Sequence, residues 1–328
     1  MRLRGDAAVR EWTERFDGVL PQRALAESGL PAEAVRALAE RVARWHEEQR
    51  PPDVELEIEP GVTLQRRWVA LRSIGIYVPR GLVSTLVMCA VPARVAGVER
   101  IAVVTPPAGA GLVAAAAEVL GVEEVWAVGG PQAIAALAYG TDTIRRVDKI
   151  VGPGNAYVNE AKLLVSRDVA IDLPAGPSEV AVVVGRGGDA RVAEVELEAQ
   201  AEHGEGAVCT LVDGDDLERA LADVERLAPE HVVLLGEAEV LAPRIRNAGA
   251  VFVGESSSVA SGDYATGGNH VLPTGGWARS LGGLGLETFL KPVTVQRLTP
   301  AGLARLRPTV EALASVEGLP AHAAAVAR

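Results

Sequence analysis

Short apolar runs alternate with longer helical stretches through the middle of the chain. Short continuous apolar runs are typical of buried strands, and apolar positions three or four residues apart are typical of helices. The first series predicts strands at 74–78, 101–104, 124–127, 149–151 and 169–173 and helices at 84–96, 111–120, 131–138 and 156–166. This alternation predicts a mainly parallel sheet with helices on both faces.

A second series of the same kind follows the Pro- and Gly-containing segment 174–178. It predicts strands at 180–184, 208–212, 232–235 and 250–253 and helices at 191–201, 217–227 and 240–246. The chain therefore contains two predicted α/β units. After Gly262 the pattern becomes irregular and rich in glycine, and a predicted helical tail at 303–328 is set off by Pro300 and Pro308.

The first seventy residues show a different pattern. Apolar spacing predicts helices at 7–16 and 32–48, and residues 54–71 alternate apolar with polar side chains, as in an antiparallel β-ribbon. We therefore expect an N-terminal helical segment, a ribbon, two α/β domains and a C-terminal tail, at 1–53, 54–76, 77–177, 178–276 and 277–328.

Composition excludes some classes of partner. Hydrophobic residues make up 48% of the chain and aromatic residues only 4%, which favours an interior packed from small aliphatic side chains. The net charge of -11 argues against a nucleic-acid partner, because phosphate is met by a basic face. No long apolar run or signal segment occurs, so we expect a cytoplasmic protein without a membrane span. Cys89 and Cys209 are predicted to be buried, unpaired hydrophobic residues.

Four of the five histidines lie after residue 200, each near other polar side chains. Gln200 and His203 are three residues apart on a predicted helix, so they project from one face. With Asp263, in a predicted glycine turn, and His322 on the tail helix, they form a nitrogen and oxygen set that zinc accepts. Taken alone, the spacing of Gln200 and His203 is more often that of a solvent-exposed helix edge.

Two other histidine positions have candidate chemistry. Glu230 and His231 precede the strand at 232–235, and an adjacent Glu and His can provide two proton-transfer groups with separately tuned pKa values. A solvent-exposed turn is the alternative. His270 follows a Gly-Gly pair and either holds a ligand or caps a strand. His46, among the glutamates of an early helix, is predicted to lie on the surface.

Two glycine-containing turns, VGPGN (151–155) and GGPQ (129–132), join predicted strands to helices. They bring the backbone to the carboxyl edge of the strands, where α/β sheets bind ligands. Neither turn matches GxGxxG or a P-loop. Each turn could bind a nucleotide phosphate at the N-terminus of the following helix. Each could equally well be a tight turn that binds no ligand.

Seven segments, in order along the chain, closely resemble histidinol dehydrogenase: QAIAALAYGT (132–141), VDKIVGPGN (147–155), IDLPAGPSE (171–179), QAEH (200–203), PEH (229–231), NAGA (247–250) and NHVLPT (269–274). The resemblance extends from about Gly5 to the C-terminus. It implies two incomplete Rossmann-like domains and a homodimer whose C-terminal tail reaches the partner subunit. It also implies oxidation of L-histidinol through L-histidinal to L-histidine, in histidine biosynthesis, with Zn²⁺ and two NAD.

The resemblance implies a role for each matching residue. His231 would be the general base of the alcohol oxidation, and Glu230 would activate water for attack on the aldehyde. Zn²⁺ would anchor the imidazole and amino nitrogens of the substrate, held by Gln200, His203, Asp263 and, from the other subunit, His322. These ligands and His231 would contact the substrate, together with Ser84, Ser178, His270 and Glu317. The positions that match NAD contacts are Tyr77, Gln132 and Asn155.

The chain departs from the family pattern at three places. The turn at 80–84 is abbreviated and poorer in glycine, and a Gly-Gly pair precedes Asn269 where a proline is usual. The segment between His203 and Glu230 is shorter by on the order of 30 residues, about one strand–helix unit, which should thin the second sheet at one edge. Three hypotheses follow: a compact working enzyme, which the surviving site residues favour, a paralogue that oxidises another polar alcohol, or a non-catalytic zinc-binding relic.

Overall fold

The computed structural model describes residues 2–174, 176–204 and 206–327. The chain forms two compact units. The first comprises Met1–Arg50 and Leu71–Phe289, and the second comprises Pro51–Ala70 and Leu290–Arg328. Within the described ranges, no helix is both long enough and apolar enough to cross a membrane.

The secondary structure follows the predicted alternation. The strands are β1 (Gln22–Arg23), β2 (Val54–Glu59), β3 (Val62–Ala70), β4 (Ser73–Tyr77), β5 (Arg100–Thr105), β6 (Glu124–Ala127), β7 (Lys149–Val151), β8 (Ala170–Ile171), β9 (Glu179–Val184), β10 (Val208–Asp213), β11 (His231–Leu235), β12 (Ala250–Val253) and β13 (Leu290–Leu298). The α-helices are α1 (Gly5–Asp17), α2 (Ala32–Glu47), α3 (Val83–Ala96), α4 (Ala110–Leu120), α5 (Gly130–Tyr139), α6 (Ala156–Val165), α7 (Ala190–Ala201), α8 (Leu217–Leu227), α9 (Val259–Tyr264), α10 (Pro300–Val316) and α11 (Pro320–Ala325). Shorter 3-10 helices lie at Gly236–Arg244, Trp277–Arg279 and Leu286–Phe289.

The first sheet has the order β1-β6-β5-β4-β7-β8, with β1 antiparallel and the other strands parallel. Its strand β4 is buried from Ile74 to Tyr77, because a parallel strand covered on both faces is apolar throughout. A Cβ atom on Gly75 would lie 2.7 Å from Cδ1 of Leu137, so glycine is needed for α5 to pack there. Strand β4 lies between β5 and β7, and the crevice at such a switch point is where ligands bind.

The second sheet is parallel throughout and has the order β10-β9-β11-β12. One face packs Val182 and Val233 against α7, and the other packs Val183 and Leu234 against α8. Together the mainly parallel first sheet and the parallel second sheet confirm the expected α/β fold class. Strand β10 forms an edge, and Leu211 on it is 62% exposed. This exposed edge lies in the segment predicted to be short.

The second unit contains the antiparallel sheet β13-β3-β2 and the helices α10 and α11. The ribbon predicted at 54–71 is present, but its third strand β13 was not predicted. Pro300 lies in the first turn of α10 after the N-cap residue Thr299, whereas Pro308 lies inside the helix and does not end it. The predicted helical tail is instead divided into α10 and α11 at residues 317–319, and its last residue, Arg328, lies outside the described ranges.

Several further predictions need correction. Cys89 is buried as predicted, but Cys209 is exposed, because it lies on the edge strand β10. Residues predicted as the helix 240–246 lie mostly in the 3-10 helix Gly236–Arg244. Strand β4 overlaps the expected ribbon boundary at residue 76, yet it pairs with β5 and β7 in the first sheet. The division of the first unit into two α/β domains stays a prediction.

Candidate active site

Glu230 immediately precedes β11, and its carboxylate lies against the start of β9. Its Oε2 accepts hydrogen bonds from Oγ of Ser178 at 2.6 Å and from the N–H of Glu179 at 2.9 Å. Burial raises the pKa of Glu230 to about 8, although both hydrogen bonds lower it. The negative charges of Asp263 and Glu179 raise this pKa further. Glu230 can therefore gain or lose a proton close to neutral pH.

His231 is the first residue of β11, and its imidazole is buried. Nδ1 lies 3.1 Å from the carbonyl oxygen of Glu179. Since a carbonyl oxygen only accepts, Nδ1 carries the proton and Nε2 is left as an acceptor. The pKa of His231 is lowered to about 4, mainly by burial and also by the nearby His270 and His203. The hydrogen bond to the carbonyl oxygen of Glu179 raises this pKa, but by less. The imidazole is therefore neutral at neutral pH, the form that acts as a base.

His270 lines the same cavity as His231. The cavity has a volume of about 140 Å³, and Phe252 and Asp263 also line it. Nδ1 of His270 donates to the carbonyl oxygen of Asp263 at 3.1 Å, and Oγ1 of Thr85 lies 3.5 Å from Nε2. Burial lowers the pKa of His270 to about 4. Two neutral imidazoles therefore line one cavity.

Asp263 lies on the short helix α9 and not in the glycine turn that was predicted. Ser258 caps this helix by accepting the N–H of Ser261. Burial raises the pKa of Asp263 to about 6, His203 lowers it, and Glu196 raises it. Because His203 influences the pKa values of Asp263, His231 and His270 alike, these side chains share one electrostatic environment.

Gln200 lies in the last turn of α7, and only 3% of it is exposed. Its Oε1 lies 3.5 Å from Oγ of Ser178, while its Nε2 is buried and has no hydrogen-bond partner in the part of the chain that the structure describes. A buried amide that lacks a partner is costly, so this side chain fits a site that a bound group completes. The exposed His203 donates from Nδ1 to the carbonyl oxygen of Gln200 at 3.2 Å, which leaves its Nε2 free to bind.

The remaining predicted zinc ligand belongs to the second unit. His322 lies on α11 and is exposed, as is Glu317 at the end of α10. Across residues 2–174, 176–204 and 206–327, no three His, Cys, Asp or Glu side chains are grouped to hold a metal ion. Within the first unit, the predicted set contains two such residues, His203 and Asp263. The four-ligand site stays a prediction.

The residues predicted to contact NAD lie near the carboxyl edge of the first sheet. Tyr77 ends β4, and its hydroxyl accepts the N–H of Gly130 at 3.3 Å. Gln132 is buried in α5. Asn155 follows β7 and caps α6, where its Oδ1 accepts the N–H of Val158 at 3.0 Å. The parallel register therefore brings three residues distant in sequence to one edge of the sheet.

His46 is fully buried, so its predicted surface position is wrong. Its Nδ1 donates to the carbonyl oxygen of Val42 at 2.7 Å, and its Nε2 lies 3.4 Å from Nδ2 of Asn269. Nδ2 of Asn269 also donates to the carbonyl oxygen of Met88 at 2.7 Å. These contacts connect α2 and α3 to the residue that precedes His270. The spacing of buried positions on α2 was the available signal, since His46 lies four residues after Val42.

The family model described as histidinol dehydrogenase matches residues 1–216 and 213–328. The chain belongs to the histidinol dehydrogenase family. The resemblance inferred from the seven motifs is confirmed, and so is the expectation that the chain is a dehydrogenase. Membership in this family connects the chain with the oxidation of histidinol in histidine biosynthesis.

Relatives in this family are similar over nearly the whole chain. The histidinol dehydrogenase of Methanosarcina mazei is 40% identical, covering 98% of this chain and 88% of the relative. That of Cereibacter sphaeroides is 42% identical, covering 99% and 88%. The crystal structure of histidinol dehydrogenase from Elizabethkingia anophelis superposes with a TM-score of 0.89 at 32% identity, covering 98% and 88%. An acetylating aldehyde dehydrogenase from Geobacillus thermoglucosidasius, with a TM-score of 0.54 and 10% identity, shares the fold alone.

The chain is shorter than these family members inside the second α/β part. The comparison with the Methanosarcina mazei protein runs over 381 aligned positions, 53 more than the 328 residues of the chain, so the chain is shortened by more than the predicted strand–helix unit of about 30 residues. The two stretches that match the histidinol dehydrogenase model meet at 213–216. This junction lies between His203 and Glu230, where the shortening was predicted, and directly after the edge strand β10.

Motif matching missed two side chains that support the candidate site of this family member. Thr85 approaches His270 and follows the predicted contact Ser84, which is half-buried at the start of α3. Glu196 is buried on α7, and its Oε2 accepts the N–H of Val259 at 3.1 Å at the start of α9. Glu196 precedes Gln200 by four residues and so lies on the same helix face, which was a readable signal.

Proposed function

We propose that the chain oxidises L-histidinol to L-histidine through L-histidinal, with Zn²⁺ and two NAD, at a site completed by a second copy of the chain. The observation that carries this proposal is the pairing of Glu230 with His231. Burial raises the pKa of one and lowers that of the other. Two oxidation steps that need two different bases fit such a pair.

The donor set of the site fits zinc. Gln200 offers its buried Oε1, which lies 3.5 Å from Oγ of Ser178, as the amide atom that can bind a metal ion. His203 and Asp263 provide a nitrogen and a carboxylate in the same electrostatic environment. These three side chains would hold Zn²⁺ together with His322 of a second copy. Bound zinc would anchor the imidazole and amino nitrogens of the substrate as a Lewis acid.

The first step takes place at the hydroxyl-bearing carbon of the substrate. His231 is neutral, and its Nε2 accepts the proton of the substrate hydroxyl. The hydride on the same carbon would be taken up by bound NAD, which leaves the aldehyde. The hydrogen bond from Nδ1 to the carbonyl oxygen of Glu179 holds the ring in the required tautomer. Ser84, Ser178, His270 and Glu317 are the proposed further contacts to the substrate.

The second step adds water to the aldehyde. The carboxylate form of Glu230 accepts a proton from water as the oxygen of that water bonds to the carbonyl carbon. The hydride on that carbon would be taken up by a second bound NAD. The resulting carboxylic acid releases its proton to solvent and becomes the carboxylate of L-histidine. Ser178 donates to Oε2 of Glu230, so it orients this base.

The proposed position of NAD is the carboxyl edge of the first sheet. Tyr77 ends β4, Gln132 lies in the first turn of α5, and Asn155 follows β7. The turn after β7 leads directly into α6. NAD would supply the hydride acceptor, and the N-terminus of a helix is suited to its phosphate groups.

The second copy is proposed because His322 belongs to the tail. Exposed apolar residues in the second unit support an interface, because three of them alternate along β2 and so form one continuous apolar face. They comprise Val54, Leu56 and Ile58 on β2 and Leu313 and Val316 on α10.

Purified protein supplied with Zn²⁺, NAD and L-histidinol tests this function. We expect two NADH for each L-histidinol consumed, with L-histidine as the product. NADH formed only from other polar alcohols would favour a paralogue with a different substrate. The abbreviated turn at 80–84 is the sequence feature that supports this alternative. Zinc binding without NADH formation from any alcohol would identify a non-catalytic relic.

A further inference from the structure

A buried ion pair holds the loop that follows β7. Nζ of Lys162 lies 2.5 Å from Oδ1 of Asp172, and their side chains are 1% and 0% exposed. Nζ also donates to the carbonyl oxygens of Gly152 at 2.9 Å and Leu173 at 3.2 Å. Oδ2 of Asp172 accepts the N–H of Gly152 at 2.7 Å. The ion pair is therefore hydrogen-bonded to both the N–H and the carbonyl oxygen of Gly152.

Gly152 also lies against the end of β4. Its φ is +104°, and a Cβ atom there would overlap the carbonyl oxygen of Tyr77. Only glycine therefore fits at position 152, because the positive φ disfavours any other residue and there is no space for a Cβ atom. Three residues later, Asn155 caps α6. The ion pair thus fixes the loop that connects two elements at the proposed NAD edge.

Packing alone does not account for this pair. Two charges removed from water lose hydration, and well-packed apolar residues of similar volume often stabilise a fold as well or better. An ion pair does provide directed hydrogen bonds, and here they go to the N–H and the carbonyl oxygen of Gly152. In the part of the chain that the structure describes, Lys162 and Asp172 supply such bonds to Gly152 and Leu173 and to no side chain of the Glu230 site.

We propose that Lys162 and Asp172 are positioning residues for the dinucleotide, which they serve by fixing the backbone of residues 152–155. This inference rests on the proposed use of NAD. The pair does not touch the reacting atoms, so its effect falls on cofactor affinity. Zinc content and the chemistry at His231 are expected to be unaffected.

The test compares two double variants. Lys162→Met with Asp172→Asn removes both charges together and so avoids a lone buried charge. The matched control is Arg100→Met with Glu124→Gln. Arg100 and Glu124 form a two-point ion pair at 2.9 Å, with side chains 17% and 16% exposed. They begin β5 and β6, so they lie at the opposite, amino edge of the same sheet.

Binding is measured by titration of NADH fluorescence without alcohol substrate, together with the KM for NAD, kcat and the unfolding temperature. For the Lys162/Asp172 variant we expect the Kd for NADH and the KM for NAD to rise by about tenfold or more, with kcat at saturating NAD within about twofold of wild type. Hydrogen exchange should also become faster at the Gly152 amide. The Arg100/Glu124 variant should lose thermal stability without a change in NADH affinity.

Equal losses of NADH affinity in both variants would overturn the positioning role, because they would reflect general destabilisation. Unchanged affinity in the Lys162/Asp172 variant would overturn it as well. A wild-type protein that binds no NADH would overturn the proposed cofactor first, and the role of the pair with it. The wild-type titration therefore distinguishes a failure of the proposed function from a failure of this inference alone.

Discussion

Oε2 of Glu230 lies 3.5 Å from Nδ1 of the next residue, His231, yet their pKa values move in opposite directions, to about 8 and about 4. The cause is the same for both, since burial disfavours whichever form carries a charge. Between these two values the site holds a neutral carboxylic acid beside a neutral imidazole. His231 is therefore available as a base at neutral pH, whereas Glu230 becomes one only as the pH approaches 8.

Replacement of His231 with Asn should lower kcat for L-histidinol oxidation by about 10²- to 10⁴-fold, because the general base is lost. The asparagine amide can still donate to the carbonyl oxygen of Glu179, so the strand contact is retained. Zinc content should stay at the wild-type level, since His231 is not a proposed ligand. Steady-state kinetics and metal analysis of the same preparation check both statements, and full activity would remove His231 from the role of base.

His270→Asn is the matched control for that variant. Both imidazoles line one cavity and have pKa values of about 4, but His270 is proposed to contact the substrate and not to accept its proton. Its loss should therefore raise KM more than it lowers kcat. An equally large fall in kcat in both variants would contradict the assignment of His231 alone as the base.

The pH dependence of L-histidinal oxidation reports on Glu230. Only the carboxylate form of Glu230 can accept a proton from water. Because its pKa is about 8, the Glu230 carboxyl group is protonated in most of the molecules at pH 7. We expect kcat/KM to rise with pH and to level off above about 8, while His231 stays neutral throughout that range. Glu230→Gln should abolish the rise. A wild-type profile that is flat from pH 6 to 9 would contradict the assignment.

Glu179→Gln provides a finer control of the same profile. The charge of Glu179 raises the pKa of Glu230, while its backbone N–H, which the substitution keeps, donates to Oε2. Removal of that charge should shift the rise in kcat/KM to lower pH. A shift to higher pH would mean that the side chain of Glu179 acts on Glu230 by another route.

The same titration affects the free energy of unfolding. The pKa of Glu230 is raised in the folded state from 4.5 to about 8, so the folded protein binds this proton more tightly than the unfolded chain does. The associated stabilisation is complete below pH 4.5 and is lost as the pH rises through about 8. Glu230→Gln cannot ionise, so its unfolding temperature relative to wild type should increase between pH 5 and 9. Calorimetry at several pH values measures this difference, and a constant difference would contradict the raised pKa.

The apolar pattern predicted the buried parallel strands well and the exposed elements poorly. Lys149–Val151 and Leu217–Leu227 were predicted at their observed bounds, because a buried strand and an amphipathic helix have distinct spacings. Strand β13 was missed since most of its side chains are partly or fully exposed, which removes the contrast between its two faces. His46 was misplaced because its polarity was given more weight than its spacing from Val42.

The residues of the candidate site could be named from motifs, but their arrangement could not. Ser178 and Glu230 are 52 residues apart and meet because β9 and β11 pair in a parallel register that sets His231 opposite Val180. Nothing local to either strand determines that register. The opposite pKa shifts of Glu230 and His231 likewise depend on burial by distant elements, so they emerge only from the folded structure.

The two cysteines should differ in reactivity towards a thiol reagent. Cys209 is exposed on β10, whereas Cys89 is buried in α3, and burial raises the pKa of its thiol. We expect one thiol per chain to react in native buffer and two in denaturant. Cys209→Ser should abolish the native reaction. Two reactive thiols in the native protein would mean that the first α/β part opens readily in solution.

Mixing two inactive variants tests whether His322 acts in another copy of the chain. His203→Ala and His322→Ala should each abolish zinc-dependent turnover in homodimers. A mixed dimer would pair the intact ligands Gln200, His203 and Asp263 of one chain with the intact His322 of the other. Random reassociation of equal amounts should therefore restore about a quarter of wild-type activity, because half of the dimers are mixed and each has one complete site.

The control for this experiment is a mixture of His203→Ala with His231→Asn, which lacks the base of the first oxidation step. Both substitutions affect the set of residues that one chain contributes, so neither site of a mixed dimer is complete and no activity should return. Recovery in the first mixture and not in the second would place His322 across the subunit boundary. If neither mixture recovers although mixed dimers form, His322 acts within its own chain or not at all, and the shared site is wrong.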